Sequence, residues 1–178
     1  MNKKFAILRG INVGGKRIIL MADLKALFEE LRFTDVQTYI QSGNVIFNSK
    51  EESTDIELSD KIEASILKRY GFDVPVIIRT VNKLKEIVLA NPFFQKKEID
   101  TNGLCLTFLK NLPTAERIIN IETYDYNPDR FKIIGKEIFI LFTGKYHQSK
   151  LTNIFFESKL KVPATTRNWK TVLKLLEL

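Results

Sequence analysis

A chain of 178 residues, 44% hydrophobic and 28% charged, suits one globular domain or two very small ones and excludes disorder, collagen and a coiled coil. One cysteine excludes a disulfide framework, and one histidine beside it excludes a Cys/His zinc site. No apolar run approaches the roughly 18 residues a spanning helix needs, so the expectation is a cytoplasmic protein with no membrane partner.

Residues 4–11 are apolar at most positions and read as a buried first strand, followed by a glycine-rich turn at 10–15. Met21, Leu24, Leu27, Phe28 and Leu31 recur at helical steps. The β-branched and aromatic runs 36–40 and 45–47 flank Gln41-Ser42-Gly43-Asn44, a tight connection with glycine available for positive φ. Ser53, Thr54 and Asp55 offer N-caps to a second helix with Leu58, Ile62 and Ile66 on one face; Gly71 stops it, and 74–78 is another strand. This order is the split βαβ arrangement of ferredoxin-like folds.

The second half opens with a helix over 81–89, ended by Asn91-Pro92. A strand over 104–109 follows, then a helix with Pro113 at its first position. Runs 131–134 and 138–142 flank Gly135-Lys136 as a hairpin, and 151–160 is helical. Beyond Pro163, Trp169, Val172, Leu173 and Leu176 give a last helix its apolar face, with Thr165 or Thr166 as N-cap and Arg167 and Asn168 in its first turn. A partner for the fourth strand of this half is missing or cryptic. The expected class is α+β: two ferredoxin-like (split βαβ) halves packed as one compact body, 1–80 and 81–178, with the seam near 90–101 and no repeat at the residue level.

Charge is uneven. Residues 1–50 carry eight Lys/Arg against four Asp/Glu, 51–143 carry thirteen against fifteen, and 144–178 carry seven against two, together making the net +7. The basic ends would form one phosphate-attracting face if they met; otherwise the lysines solvate surface.

Several segments have the residue types for chemistry. Gly10 to Lys16 fills the phosphate-loop template G-x-x-x-x-G-K, but Arg17 stands where a magnesium-ligating Ser/Thr belongs, and the helical pattern starts only near Met21. A glycine turn carrying Arg9, Lys16 and Arg17 can bind an anion without magnesium, or can be a turn and nothing more. Gln41, Ser42 and Asn44 can read a ligand or bond their own turn. Tyr146-His147-Gln148-Ser149-Lys150 holds the only histidine and a Ser-Lys pair whose side chains diverge on either a strand or a helix. Cys105 sits in an apolar strand and reads as buried and inert. Asp125 and Asp129 could pair as carboxylates or solvate a turn. Trp169 is expected in the core with its indole N–H bonded. An arginine at a helix N-terminus opposes the dipole, so Arg167 there would suit a bound anion or an acidic neighbour.

The segments LRGINVGGK at 8–16, TYIQSGNVIF at 38–47 and ATTRNWKTVLKL at 164–175 together resemble the bacterial family called domain of unknown function 1697. GFDVPVIIR at 71–79, NPF at 91–93 and SKL at 149–151 are similar to it as well, so the resemblance runs over nearly the whole chain. Leu20 stands where the family usually has proline. The resemblance implies an α+β protein of two ferredoxin-like halves and carries no activity or cofactor across. It singles out Arg9, Asn12, Lys16, Gln41, Ser42, Asn44, Ser149, Lys150, Arg167 and Asn168. If these converge, they make a donor-rich, carboxylate-free cleft for a phosphate-bearing ligand or a nucleic-acid backbone. The function expected is a non-catalytic binding module; the alternative is a metal-independent enzyme on an anionic small molecule, for which only His147 titrates near neutrality unperturbed. Exposed Phe5, Tyr39 or Tyr146 would favour single-stranded nucleic acid.

Overall fold

The computed structural model describes residues 2–50, 52–94, 101–144 and 148–178. The chain divides into two compact units, Met1–Lys85 with Leu178, and Glu86–Glu177.

The first unit runs β1 (Asn2–Leu8), α1 (Met21–Glu30), β2 (Thr34–Tyr39), β3 (Asn44–Ser49), α2 (Asp55–Tyr70) and β4 (Val76–Thr80). Its four strands form an antiparallel sheet in the order β2-β3-β1-β4, the ferredoxin-like order. Alternation along β1 sends Ala6 and Leu8 into the core beneath the helices, where they meet Leu24, Leu27 and Phe28 of α1 and Leu58, Ile62 and Ile66 of α2. Phe28, Phe33 and Phe47 interlock there at centroid distances of 4.6–5.8 Å. Phe5 and Ile7, on the opposite sheet face, are buried too.

Thr54, of the three candidates, is the α2 cap. It forms a capping box with Glu57, and Gly71 ends the helix at φ +75°. From the middle of α2, Glu63 Oε1 accepts the first backbone N–H of β4, from Val76, at 2.7 Å. Helix α3 (Val81–Leu89) follows β4 directly.

The second unit repeats the topology with β5 (Leu104–Leu109), α4 (Ala115–Glu122), β6 (Arg130–Ile134), β7 (Glu137–Leu141), α5 (Asn153–Leu160) and β8 (Ala164–Asn168), in the sheet order β6-β7-β5-β8. Cys105 and Leu109, Ile138 and Ile140, and Ala164 face Ile121, Phe156 and Leu160 of the helices. Glu157 Oε1 accepts the first N–H of β8, from Ala164, at 3.0 Å, the same contact that Glu63 makes to β4. Helix α6 (Trp169–Glu177) closes the chain and touches β5 and β8.

The cryptic fourth partner is therefore β8, and this corrects the reading of 164–168. Residues 165–168 are strand paired with β5, not a cap and first helical turn. The consecutive β-branched residues Thr165 and Thr166 suit a pleated surface, whereas the helical spacing starts only at Trp169. The cap of α6 is Asn168, whose Oδ1 accepts from Thr171 N at 2.8 Å. Pro113 likewise lies two residues before Ala115, outside α4, with Thr114 at the N-cap position. Among the described residues no helix is long and apolar enough to cross a membrane.

Candidate functional site

Where β1 ends, two loops of the first unit are laced together. Arg9 N still donates to Pro75 O at 2.9 Å, and Gly10 then turns the chain at φ +68°. Gly14 and Gly15 both have positive φ, +58° and +70°, and Lys16 N donates to Val13 O at 3.1 Å. This is the backbone of a type I′ turn, which explains the two adjacent glycines. Asn12, itself at φ +55°, locks the base of the turn. Its Nδ2 donates to Ile19 O and to Gln41 O, each at 2.9 Å, and its Oδ1 accepts from Ile19 N at 2.9 Å.

The second loop is the turn closed by Gly43 N donating to Ile40 O, with Ile40 at φ +52°. Gly43 O accepts from Leu8 N at 2.8 Å, and a Cβ at Gly43 would lie 2.6 Å from Ile11 Cδ1 and 2.9 Å from Leu8 Cβ. Glycine is required there for both its dihedral and its space. Asn44 is fully buried, and its Nδ2 donates to Tyr39 O at 3.0 Å and towards Ser42 Oγ at 3.4 Å.

Asn12 and Asn44 thus hold the two loops in shape, while Lys16 and Gln41 are exposed and Arg9, Arg17 and Ser42 are half-buried. The structure brings these six predicted residues and Arg17 into one corner of the first unit. No acidic residue occurs between Lys4 and Ala22 or in the turn 40–44. Lys16 sits in the hairpin, and residues 17–20, none of them helical, separate it from the start of α1 at Met21. The helix-at-lysine geometry of a nucleotide-hydrolysing phosphate loop is not formed.

The other four candidates belong to the second unit. Ser149 Oγ accepts from Leu151 N at 3.0 Å, and Lys150 is exposed. Arg167 is buried on the sheet face opposite α4 and α5; its Nη1 donates to Thr165 Oγ1 and Thr166 O, both at 3.0 Å. Burial lowers its pKa to about 10. Asn168 holds the helix cap described above. Tyr146 and His147 lie outside the described residues, and Phe5 is buried.

Four further residues resolve as follows. Burial pushes the Cys105 thiol up to about 11, which keeps it protonated and a poor nucleophile. Asp125 Oδ1 accepts from Asn127 N and Asp129 Oδ1 from Thr143 N, so both carboxylates serve turns. Trp169 is 1% exposed and meets Phe94 edge to face at 5.3 Å, but its indole N–H has no partner among the described residues, contrary to expectation. Among those residues no three His, Cys, Asp or Glu side chains are grouped for a metal.

Sequence reasoning missed two features. One is the buried Arg79, fourth in β4 as Arg167 is fourth in β8, with its Nη1 likewise donating to the preceding carbonyl, Ile78 O, at 2.8 Å. The matching IIRT and TTRN endings were the available signal. The other is an open groove of about 370 Å³ bordered by Phe93, Tyr124, Tyr126, Arg130 and Phe131, assembled from segments too far apart in sequence to announce it.

Two antiparallel split-βαβ units, the first with its loops laced at the end of β1, define a duplicated ferredoxin-like α+β protein. The model of the family described as "Protein of unknown function (DUF1697)" matches residues 1–139, and the chain belongs to that family. The solved structure of the conserved bacterial protein SP0830 from Streptococcus pneumoniae is similar in fold, with a TM-score of 0.78, 23% identity, and coverage of 99% of this chain and 97% of that one. No curated protein matches.

Proposed function

We propose that the chain is a non-catalytic binding module for a phosphate-bearing ligand, contacted in the first unit by the loops 10–19 and 40–44. The observation that supports it is a pair of loops that carry Lys16 and Arg17 beside a glycine turn and contain no acidic residue of their own. Backbone N–H groups of a glycine turn and charge-assisted donors suit phosphate oxygens, and no nearby carboxylate in these loops competes for the cations. Asn12 and Gly43 hold the turn in place before the ligand arrives, which reduces the ordering entropy lost on binding.

The experiment is titration of inorganic phosphate, a nucleoside monophosphate and a ten-residue oligothymidylate into the wild type, Lys16→Ala and Arg17→Ala at low ionic strength. Each variant should bind about tenfold more weakly, since a charge-assisted contact contributes roughly 1.5–3 kcal/mol. Oligonucleotide binding, where present, should fall steeply with salt. Variants that bind as the wild type does, or no binding of any anion, would overturn the proposal.

A further inference from the structure

Five large apolar side chains of the first unit are exposed among the described residues: Val13, Ile18, Leu20, Ile40 and Leu67. Four of them lie on the two laced loops, with Val13 and Leu20 each 64% exposed, Ile18 54% and Ile40 44%. Each is the chain neighbour of a residue in the knot that Asn12 ties to Ile19 and Gln41. The turn needs glycine and asparagine for its geometry, and nothing in its hydrogen bonding needs an aliphatic side chain at 13, 18, 20 or 40. Single exposed apolar residues are ordinary, but four concentrated on one hydrogen-bonded pair of loops are what an interaction surface leaves open to solvent. Lys16 and Arg17 lie on the same loop as Val13, Ile18 and Leu20.

We propose that the phosphate-bearing ligand is a phosphorylated segment of another protein, with aliphatic side chains next to the phosphorylated residue that pack on Val13, Ile18, Leu20 and Ile40. This deepens, and rests on, the anion-binding reading above. The charge of the loops complements the phosphoryl group, and their apolar surface complements the flanking side chains. Other polyanions fit less well. Residues 9–22 and 40–44 contain no aromatic side chain on which a base could stack, and the adjoining Tyr39 is half-buried. They also lack the Trp/Tyr belt, and the cluster of four or more cations, that anionic membranes recruit.

The test passes a phosphoserine-centred degenerate peptide library, and its unphosphorylated twin, over the immobilised full chain. Wild type, Val13→Ser/Leu20→Ser and Lys16→Glu/Arg17→Glu are compared, and inorganic phosphate, oligothymidylate and phosphatidylserine-containing vesicles are titrated in parallel. Retention should depend on the phosphoryl group, and the retained pool should be enriched in Leu, Ile and Val beside it. The serine variant should lose that enrichment and bind the retained pool about tenfold more weakly, with affinity for inorganic phosphate unchanged. The glutamate variant should lose both. Phosphate binding with no aliphatic preference overturns this proposal alone, as does tighter binding of oligothymidylate or vesicles than of the retained peptides. Failure of every anion to bind overturns the anion-binding reading with it.

Discussion

Replacing Gly43 by alanine should damage the molecule more than a methyl group added at any other glycine of the two laced loops, Gly10, Gly14 or Gly15. The residue sits at φ +80°, a conformation that costs an L-residue about 1–2 kcal/mol. The added Cβ would also meet Ile11 Cδ1 at 2.6 Å and Leu8 Cβ at 2.9 Å, distances that real carbon pairs do not tolerate. Both neighbours are buried, so relieving the clash means moving the end of β1 or the Ile11 side chain out of a packed core. Overpacking of this kind costs about 1–3 kcal/mol, giving about 2–5 kcal/mol in all. Gly14→Ala is the control: its φ is +58°, but nothing lies within 4 Å of the added carbon, so only the dihedral penalty of about 1–2 kcal/mol applies. Urea denaturation of both variants measures the difference, with the denaturant slope expected to stay constant. Equal losses would show that the contact of the two loops at Gly43 is not the constraint described.

Asn12→Ala removes three hydrogen bonds and should cost about 1–3 kcal/mol and speed amide exchange at Ile19, whereas exposed Lys16→Ala should stay within about 0.5 kcal/mol; similar costs would refute the locking role. Trp169→Ala should cost about 3–5 kcal/mol in thermal or urea unfolding. Trp169→Phe should cost far less, because the indole N–H it removes makes no hydrogen bond among the described residues. Native Cys105 should resist a bulky thiol reagent near pH 8 until urea opens the fold, and prompt labelling would contradict its burial and its raised pKa of about 11. Hydrogen bonds from the Thr54 backbone, then its hydroxyl, hold the Glu57 carboxyl below its ordinary 4.5, so this carboxylate stabilises the fold above that pH and the contribution fades as pH falls through the lower folded value. The melting-temperature gap between wild type and Glu57→Gln should therefore be largest near neutrality and shrink below pH 4.5; a gap independent of pH would refute it.

The first unit was legible almost element by element because its strands, caps and glycines each carry a local signal. Thr54 with Glu57, and Gly71 after Tyr70, mark both ends of one helix without any tertiary information. The last strand was not legible. Ala164–Asn168 has no hydrophobic alternation to report, and its buried polar residues make sense only beside β5, where Thr166 Oγ1 lies 2.6 Å from both Thr107 Oγ1 and Asn153 Oδ1. Residues of the site were visible as polar and glycine-rich segments, but their division of labour was not. Gln41 and Asn44 look alike in sequence, and only the fold exposes one and buries the other under its own turn.

The carboxylates of Glu63 and Glu157 have a consequence for the behaviour of the chain in a crowded solution. β4 and β8 are edge strands of their sheets, and an edge offers unpaired backbone donors to any extended segment that drifts past. In each unit the leading donor of that edge is already taken by a side chain from the neighbouring helix. A passing strand therefore finds the start of the ladder occupied and cannot register against it without first displacing a glutamate. The two contacts protect against edge-to-edge aggregation as well as fastening the strand, and a chain lacking either would be recognised by its tendency to associate before any loss of fold appeared.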